Sequence, residues 1–448
     1  MTTPRTGSTD LGPVTVLPIR YFLDHVLPPL HPAIDLDETL AKLKNYGDNG
    51  QHPITKIGRW WGFPKNPWDL QRRNSRDAYR TLPRVVNAIA ECGAPRGVRP
   101  SLQLSMNPEC EDLAHIKVRG VHVLPNAYMV PLGIPAKKAR WKDISVIGEY
   151  DSYEGAENKN SRKLCSSILQ AFDDPRRRSL FGWTMENHRM RLWYCDRAQF
   201  LASYSFEFTT ELRDVVHIFL SFLYAEQHQL GWDTTVKLVE NPKALPQYDY
   251  SVPNPDGSIS VFRTIELLSS SGHTTFLGSG TRTWKAIEVL SPLPVGELRV
   301  LKDAWTIPEV GRSALEDICS PEDPDESQQD YASASRLTAI SQDFVQICPQ
   351  KGSSYHDRTL LHVKNVEAYV RGEPFPDPSI NIRPPLDHTS SEASALSQYR
   401  VHHRAVFKET CKPSTLPASR SVALSVHATP RGDEIVTPDI VLAYMSFG

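Results

Sequence analysis

Residues 276–305 read FLGSGTRTWKAIEVLSPLPVGELRVLKDAW, and this stretch decides the fold. Gly278-Ser279-Gly280 forms a glycine-rich turn between Thr275-Phe276-Leu277 and the strand-like run Trp284 to Val289. A loop through Pro292 and Pro294 leads to Leu298 to Leu301 and ends at Lys302. Glycine has no Cβ, so backbone N–H groups in such a turn can approach phosphate oxygens. A lysine on a later strand supplies the charge that pairs with those oxygens. Gly278 and Lys302 stand 24 positions apart, a distance that two strands and a turn can span. On its own the text fits a plain β-hairpin about as well as a phosphate-binding lobe.

The chain is 448 residues long, enough for about two or three domains with cores of their own. Fifty Lys and Arg stand against 52 Asp and Glu, a formal net charge of -2. That balance gives no electrostatic footprint for nucleic acid or an anionic membrane. The run Arg176-Arg177-Arg178 reads as a solvated turn. Seven scattered cysteines with no CxxC pair fit reduced thiols and an intracellular protein, and argue against a structural zinc site. The opening MTTPRTGSTDLGP lacks the apolar core of a signal peptide, and the most apolar run, Val215 to Ala225, is about half the ~20 residues of a membrane span.

Outside the opening stretch the chain divides into an N-terminal α+β domain and a second, strand-rich one. Residues 1–15 are polar and read as disordered. Apolar spacing predicts helices over Leu36 to Asn45, Asp77 to Cys92, Ser161 to Phe172 and Glu211 to Gln229, the last capped by Thr209-Thr210. Strands are expected at Ile116 to Leu124, Ile144 to Tyr150, Ser179 to Met185, Met190 to Cys195 and Leu201 to Phe208. The last three are aromatic-rich with turn residues between them, the pattern of an antiparallel meander. A proline-bearing junction over Asn241 to Pro255 ends this domain near residue 250, and the lobe runs over 255–412. Segments 320–335 and 374–397 read as disordered insertions.

The segments WKDISVIGEYD, RRSLFGWTMENHRMRLWYCDRAQFLASYSFEF, QLGWDTTVK, GSGTRTWKA, LRVLKDAW and YRVHHRAVFKETCKP, in this order, resemble the fungal-type protein kinase family of mushroom-forming fungi, from about Trp141 to Pro413. The most specific piece is the arginine-start meander with Trp193 and Asp196-Arg197, followed by Gly231-Trp232-Asp233. The resemblance implies a kinase-like N-lobe and a Ser/Thr kinase ancestry, with ATP held by Gly278, Gly280, Thr281 and Lys302 and its adenine lined by Val300. It also implies a helix-C glutamate, for which Glu316 is the first candidate and Glu309 the second. His402 to Lys412 resembles the strand before the hinge and the hinge itself.

The same resemblance leads to the expectation that the lobe is catalytically incomplete. No HRD-type loop with its asparagine and no DFG-type aspartate follows Pro413, and the remaining 35 residues, an atypical tail over 413–448, are too few for a C-lobe. A truncated gene model and a pseudokinase both fit that text. His403-Arg404-Ala405, His356-Asp357-Arg358 and Ser446-Phe447-Gly448 have the wrong residues or order. Without a base and Mg²⁺ ligands, phosphoryl transfer lacks its positioning and charge neutralisation. Neither catalytic nor metal-binding residues are therefore assigned, and use of Mg²⁺ stays open.

The alternative expectation is a non-catalytic scaffold whose exposed lobe recruits a protein partner. Less favoured is an inactive nuclease-like scaffold, for which Asp143 and Glu149-Tyr150-Asp151 on one strand would be the relic, with Asp151 where the lysine belongs. Trp60, Trp61 and Trp68 read as a core or domain-contact patch rather than a ligand cage. No HExxH, no GxSxG elbow and no usable histidine pair is present, His402 and His403 being neighbours on one strand.

Overall fold

The computed structural model describes residues 14–45, 52–70, 74–106, 117–118, 121–122, 124–135, 138–240, 245–254, 256–270, 277–290, 293–306, 346–347, 400–408, 425–427 and 439–441. These residues fall into two compact units that part between Asp233 and Thr234.

The first unit is built on a mixed sheet. Its strands are β1 (Thr15–Leu17), β2 (Leu102–Ser105), β3 (Ala127–Pro131), β4 (Val146–Asp151), β5 (Ser179–Glu186), β6 (Arg189–Asp196), β7 (Phe200–Ser203) and β8 (Phe206–Glu207). They lie in the order β1-β7-β6-β5-β4-β3-β2, with β8 paired to β6. β4 and β5 are parallel, as are β1 and β7, while β5, β6 and β7 form the antiparallel meander that the sequence predicts. All eight residues of β5 are buried, as a central strand covered on both faces requires.

Four long helices flank this sheet in sequence: α1 (Leu36–Asn45), α2 (Leu82–Gly93), α3 (Glu157–Ala171) and α4 (Leu212–Leu223). α4 packs on the face that carries Phe181 and Trp183, whose rings meet Phe222 and Phe219. α3 covers the other face, where a Cβ on Gly182 would stand 2.8 Å from a Leu164 methyl.

Several boundaries differ from expectation. The helix predicted over Asp77 to Cys92 is two, Ser75–Tyr79 and α2, broken at Arg80-Thr81 because Pro83 sets the first turn of α2. The helix predicted to reach Gln229 stops at Leu223, followed by a 3₁₀ turn over Gln227–Leu230. Thr210 does not cap α4: its hydroxyl bonds the Glu207 carboxylate, and Glu211 holds the cap position. The expected strand over Ile116 to Leu124 is two short pieces, Lys117–Val118 and Val121–His122, paired to each other.

Arg176 to Arg178 form no solvated turn. Arg177 is buried with its guanidinium 3.1 Å from the Trp232 ring centroid, Arg176 bonds Asp174, and Arg178 meets Asp233 at 2.8 Å. The Asp233 N–H donates to Arg176 O at 2.7 Å and the Arg178 N–H to Gly231 O at 2.9 Å. The arginine run and the Gly231-Trp232-Asp233 motif, which begins 53 positions after Arg178, are thus two sides of one lock. Burial lowers the affinity of Arg177 for its proton.

The second unit is one antiparallel sheet: β9 (Val236–Val239), β10 (Gln247–Pro253), β11 (Ile259–Ser270), β12 (Arg282–Leu290), β13 (Leu293–Thr306), β14 (Gln346–Ile347) and β15 (Val401–Lys408). The order is β9-β10-β11-β12-β13-β15-β14. The domain boundary expected near residue 250 therefore moves to Asp233, because the text taken as a junction over Asn241 to Pro255 contains β10, which pairs along β11.

The sheet coils so that its ends approach. Val236, Tyr250, Val252, Phe262, Trp284, Leu301 and Val406 share one core, and Arg404 Nη1 on β15 donates to Thr235 Oγ1 just before β9, at 2.5 Å. The expected insertions at 320–335 and 374–397, the last residues, 409–412, of the segment expected to hold the strand and hinge, and most of the tail over 413–448 lie outside the described residues.

Candidate functional site

In β13 the residues alternate between the two faces of the sheet. Leu301 is buried in the core with Trp284 and Val406, so Val300 and Lys302 point to the opposite face, where both are partly exposed. Lys302 stands across from Thr283 on β12 and from Ala405 on β15, and Val300 across from Lys285 and Phe407. Paired strands lie about 4.8 Å apart, which places the start of β12 directly beside the lysine.

The glycine turn precedes β12. Gly278 has φ +148° and Gly280 φ +49°, conformations that side chains with a Cβ rarely adopt. The Trp305 N–H donates to Ser279 O at 2.8 Å. That bond ties the turn to β13 three residues beyond Lys302. The strand expected at Thr275-Phe276 lies outside the described residues, and the described part of β11 ends at Ser270.

Thr281 follows the turn and is 3 % exposed, and its hydroxyl finds no partner among the described residues. A buried hydroxyl without a partner calls for one. The turn, this hydroxyl and the lysine fit a phosphate-bearing ligand: backbone free of Cβ atoms, a donor without an acceptor, and a cation on the adjoining strand. Of the sequence-predicted residues, the fold brings together Gly278, Gly280, Thr281, Val300 and Lys302; Glu316 and Glu309 lie outside the described residues.

The same lobe offers little to a metal ion. Asp303, next to Lys302 in sequence, faces the other way and is 4 % exposed. Its Oδ1 accepts from Arg404 Nε at 2.9 Å and meets His402 Nε2 at 2.8 Å. His402 stacks on Trp305 at 4.6 Å and 10°, and Arg404 lies 5.1 Å from the Tyr250 ring centroid. Sequence reasoning missed this buried charged cluster. The signal was there in the alternation of RVLKDAW against YRVHHRAV, which puts Asp303 opposite Arg404 once β13 and β15 pair. Among the described residues no group of three His, Cys, Asp or Glu side chains is placed to hold a metal.

The nuclease-like constellation does not assemble as expected. Asp143 sits in a 3₁₀ turn over Trp141–Asp143, where its carboxylate accepts from the Arg140 N–H and Nε at 3.0 and 3.2 Å. Glu149 and Asp151 do share one face of β4, toward α3. Glu149 is fully buried and burial pushes its carboxyl up to about 8 against the pull of Lys163. Burial also acts on Asp151, yet bonds from Lys159, the Tyr153 N–H and Ser75 hold it below the usual carboxylate range. The tryptophans divide. Trp60 is a core residue whose Nε1 donates to Phe208 O at 2.7 Å, while Trp68 is 58 % exposed beside Tyr153.

Among the described residues no helix is long and apolar enough to cross a membrane. Residues 133–318 match the family model described as fungal protein kinase. No curated protein and no solved structure matches the chain. The matched stretch holds the Arg177–Trp232 lock, the meander and the glycine turn with Lys302, so the region over 133–318 is similar to the fungal protein kinases.

Proposed function

We propose that the second unit is a kinase-like nucleotide lobe that binds ATP through the Gly278–Gly280 turn, Thr281, Val300 and Lys302. One observation carries this reading: the turn is pinned by the Trp305 N–H beside the strand that presents Lys302, with the orphaned Thr281 hydroxyl next to it. When bound, ATP supplies a transferable phosphoryl group. This chain's contribution is to cradle the phosphates with backbone N–H groups, pair them with the Lys302 ammonium and seat the base against Val300. Glu316 is proposed to hold the lysine in place.

Within the 448 residues no aspartate stands in an HRD or DFG setting. Asp303 is committed to Arg404 and His402. Nucleotide binding without phosphoryl transfer by this polypeptide is therefore the favoured activity, with ATP bound weakly and Mg²⁺ held by the nucleotide rather than by the described residues.

The test is a thermal-shift titration with Mg²⁺–ATP on the full chain. Bound ligand raises the unfolding temperature by mass action, and Lys302→Met should remove the rise. No rise in the unmodified chain refutes the proposal and favours a scaffold that recruits a protein partner. Turnover of the γ-phosphate that disappears in Lys302→Met refutes the non-catalytic part.

A further inference from the structure

A cleft of about 350 Å³ opens in the first unit, at the end of β4 and the start of α3. It is lined by Arg76, Asn126, Tyr150, Asp151, Lys159 and Lys163, among others. That volume lies in the range of small-molecule sites. Its charge is unusual for a protein with nearly balanced totals: three cations face one carboxylate. Asp151 spends its charge on Lys159 at 2.8 Å and accepts from Ser75 Oγ at 2.9 Å. Arg76 and Lys163 have no hydrogen-bond or ion-pair partner among the described residues. Burial pushes the Glu149 carboxyl up to about 8 against the pull of Lys163, and no ion pair joins the two among the described residues.

Two residues beyond Asp151, Tyr153 begins a pair of exposed rings. Trp68 and Tyr153 are 58 % and 56 % exposed, with centroids 5.7 Å apart. Neither is a loose side chain. The Tyr153 N–H donates to Asp151 Oδ1 at 3.1 Å and its ring lies over Gly155, where a Cβ would come within 2.5 Å of it. The Trp68 N–H donates to Asn187 Oδ1 at 3.0 Å. The two rings are tilted 53° to each other, and each leaves a face open to solvent on which a flat ring can stack.

We propose that this cleft binds a nucleoside monophosphate, with the phosphate on Lys163, Arg76 and Lys159 and the base on Trp68 and Tyr153. Flat ring and phosphate together select this class over inorganic phosphate, which cannot stack, and over a nucleoside, which leaves the cations unpaired. The site is separate from the Lys302 lobe and does not rest on the ATP reading.

Isothermal titration of the full chain with adenosine 5′-monophosphate, inorganic phosphate and adenosine tests it. The monophosphate should bind about tenfold tighter than either fragment, since a stacked base is worth about 1–3 kcal/mol. Lys163→Met should weaken the monophosphate about tenfold, the scale of a lost charge-assisted contact. Trp68→Leu, at an exposed position that tolerates change, should weaken the monophosphate but not phosphate, and the effects of Lys163→Met and Trp68→Leu should persist in a Lys302→Met background. The proposal is overturned if the monophosphate does not bind, if Trp68→Leu has no effect on it, or if Lys302→Met abolishes it. Binding of a single-stranded hexathymidylate in place of the monophosphate would overturn it as well, assigning the cleft to a polynucleotide.

Discussion

Glu149→Gln should stabilise the protein, and by an amount that depends on pH. The carboxyl is fully buried, neither oxygen makes a well-formed hydrogen bond among the described residues, and the nearby Asn126 N–H and Ser167 hydroxyl offset the burial only in part. Burial raises its pKa from 4.5 to about 8. A raised acid pKa means that the folded state holds a proton which the unfolded state has released, so stability falls as pH rises from 4.5 and levels off above about 8. One pKa unit is worth about 1.4 kcal/mol, which makes the penalty about 3 kcal/mol near pH 7 and about 5 kcal/mol near pH 9. Glutamine is neutral throughout and almost the same shape, and its amide can reach toward Ser167, whose buried hydroxyl also lacks a partner.

Urea unfolding followed by tryptophan emission is the assay. Seven of the nine tryptophans, Trp60, Trp61, Trp68, Trp141, Trp183, Trp193 and Trp232, belong to the first unit, so the signal reports on it. Glu186, which burial pushes up to about 7, tilts the pH profile of both proteins and cancels in their difference. The difference should be smallest around pH 4.5 and below, where Glu149 is neutral in the folded protein and its unfolded state has released only part of that proton, and grow with pH. A difference independent of pH, or a variant less stable than the parent at alkaline pH, would refute the reasoning.

Three further outcomes follow from packing and charge. Gly231→Ala should cost about 3 kcal/mol or more in urea unfolding, because Gly231 has φ +83° and an added Cβ would fall 2.1 Å from Ser179 O, a backbone atom. A neutral result would mean that the Arg177–Trp232 lock can slide. Asp303→Ala should cost about 3–5 kcal/mol by leaving Arg404 buried without its partner; the double change with Arg404→Met should recover much of that loss, and an additive double variant would contradict the coupling. The thiols of Cys92 and Cys165, pushed up by burial to about 11 and about 12, should resist maleimide in the native protein and react on unfolding, as site-resolved mass spectrometry can show.

Much of the fold was legible because periodicity reports burial directly. The meander over 179–208 alternates bulky apolar residues between turns, and the structure pairs those strands in the expected order. Helices α1 and α4 begin where the apolar spacing starts. β1, β2 and β3 were not legible: each is five residues or fewer, too short for a period to emerge. The domain boundary misled for a related reason. Proline and polar residues near 241–255 resemble a linker, but Pro253 ends a strand whose preceding residues carry the ladder.

By itself the sequence determined the family resemblance, the glycine turn and the lysine that follows it, because those depend on residue identity and spacing along one chain. Tertiary structure alone decided which face each of them occupies. It set Asp303 against Arg404, buried Arg177 against Trp232, and set the cations of α3 near Arg76 from a distant helix. These pairings depend on strand register and helix packing between residues far apart in sequence, and a local pattern carries no information about them.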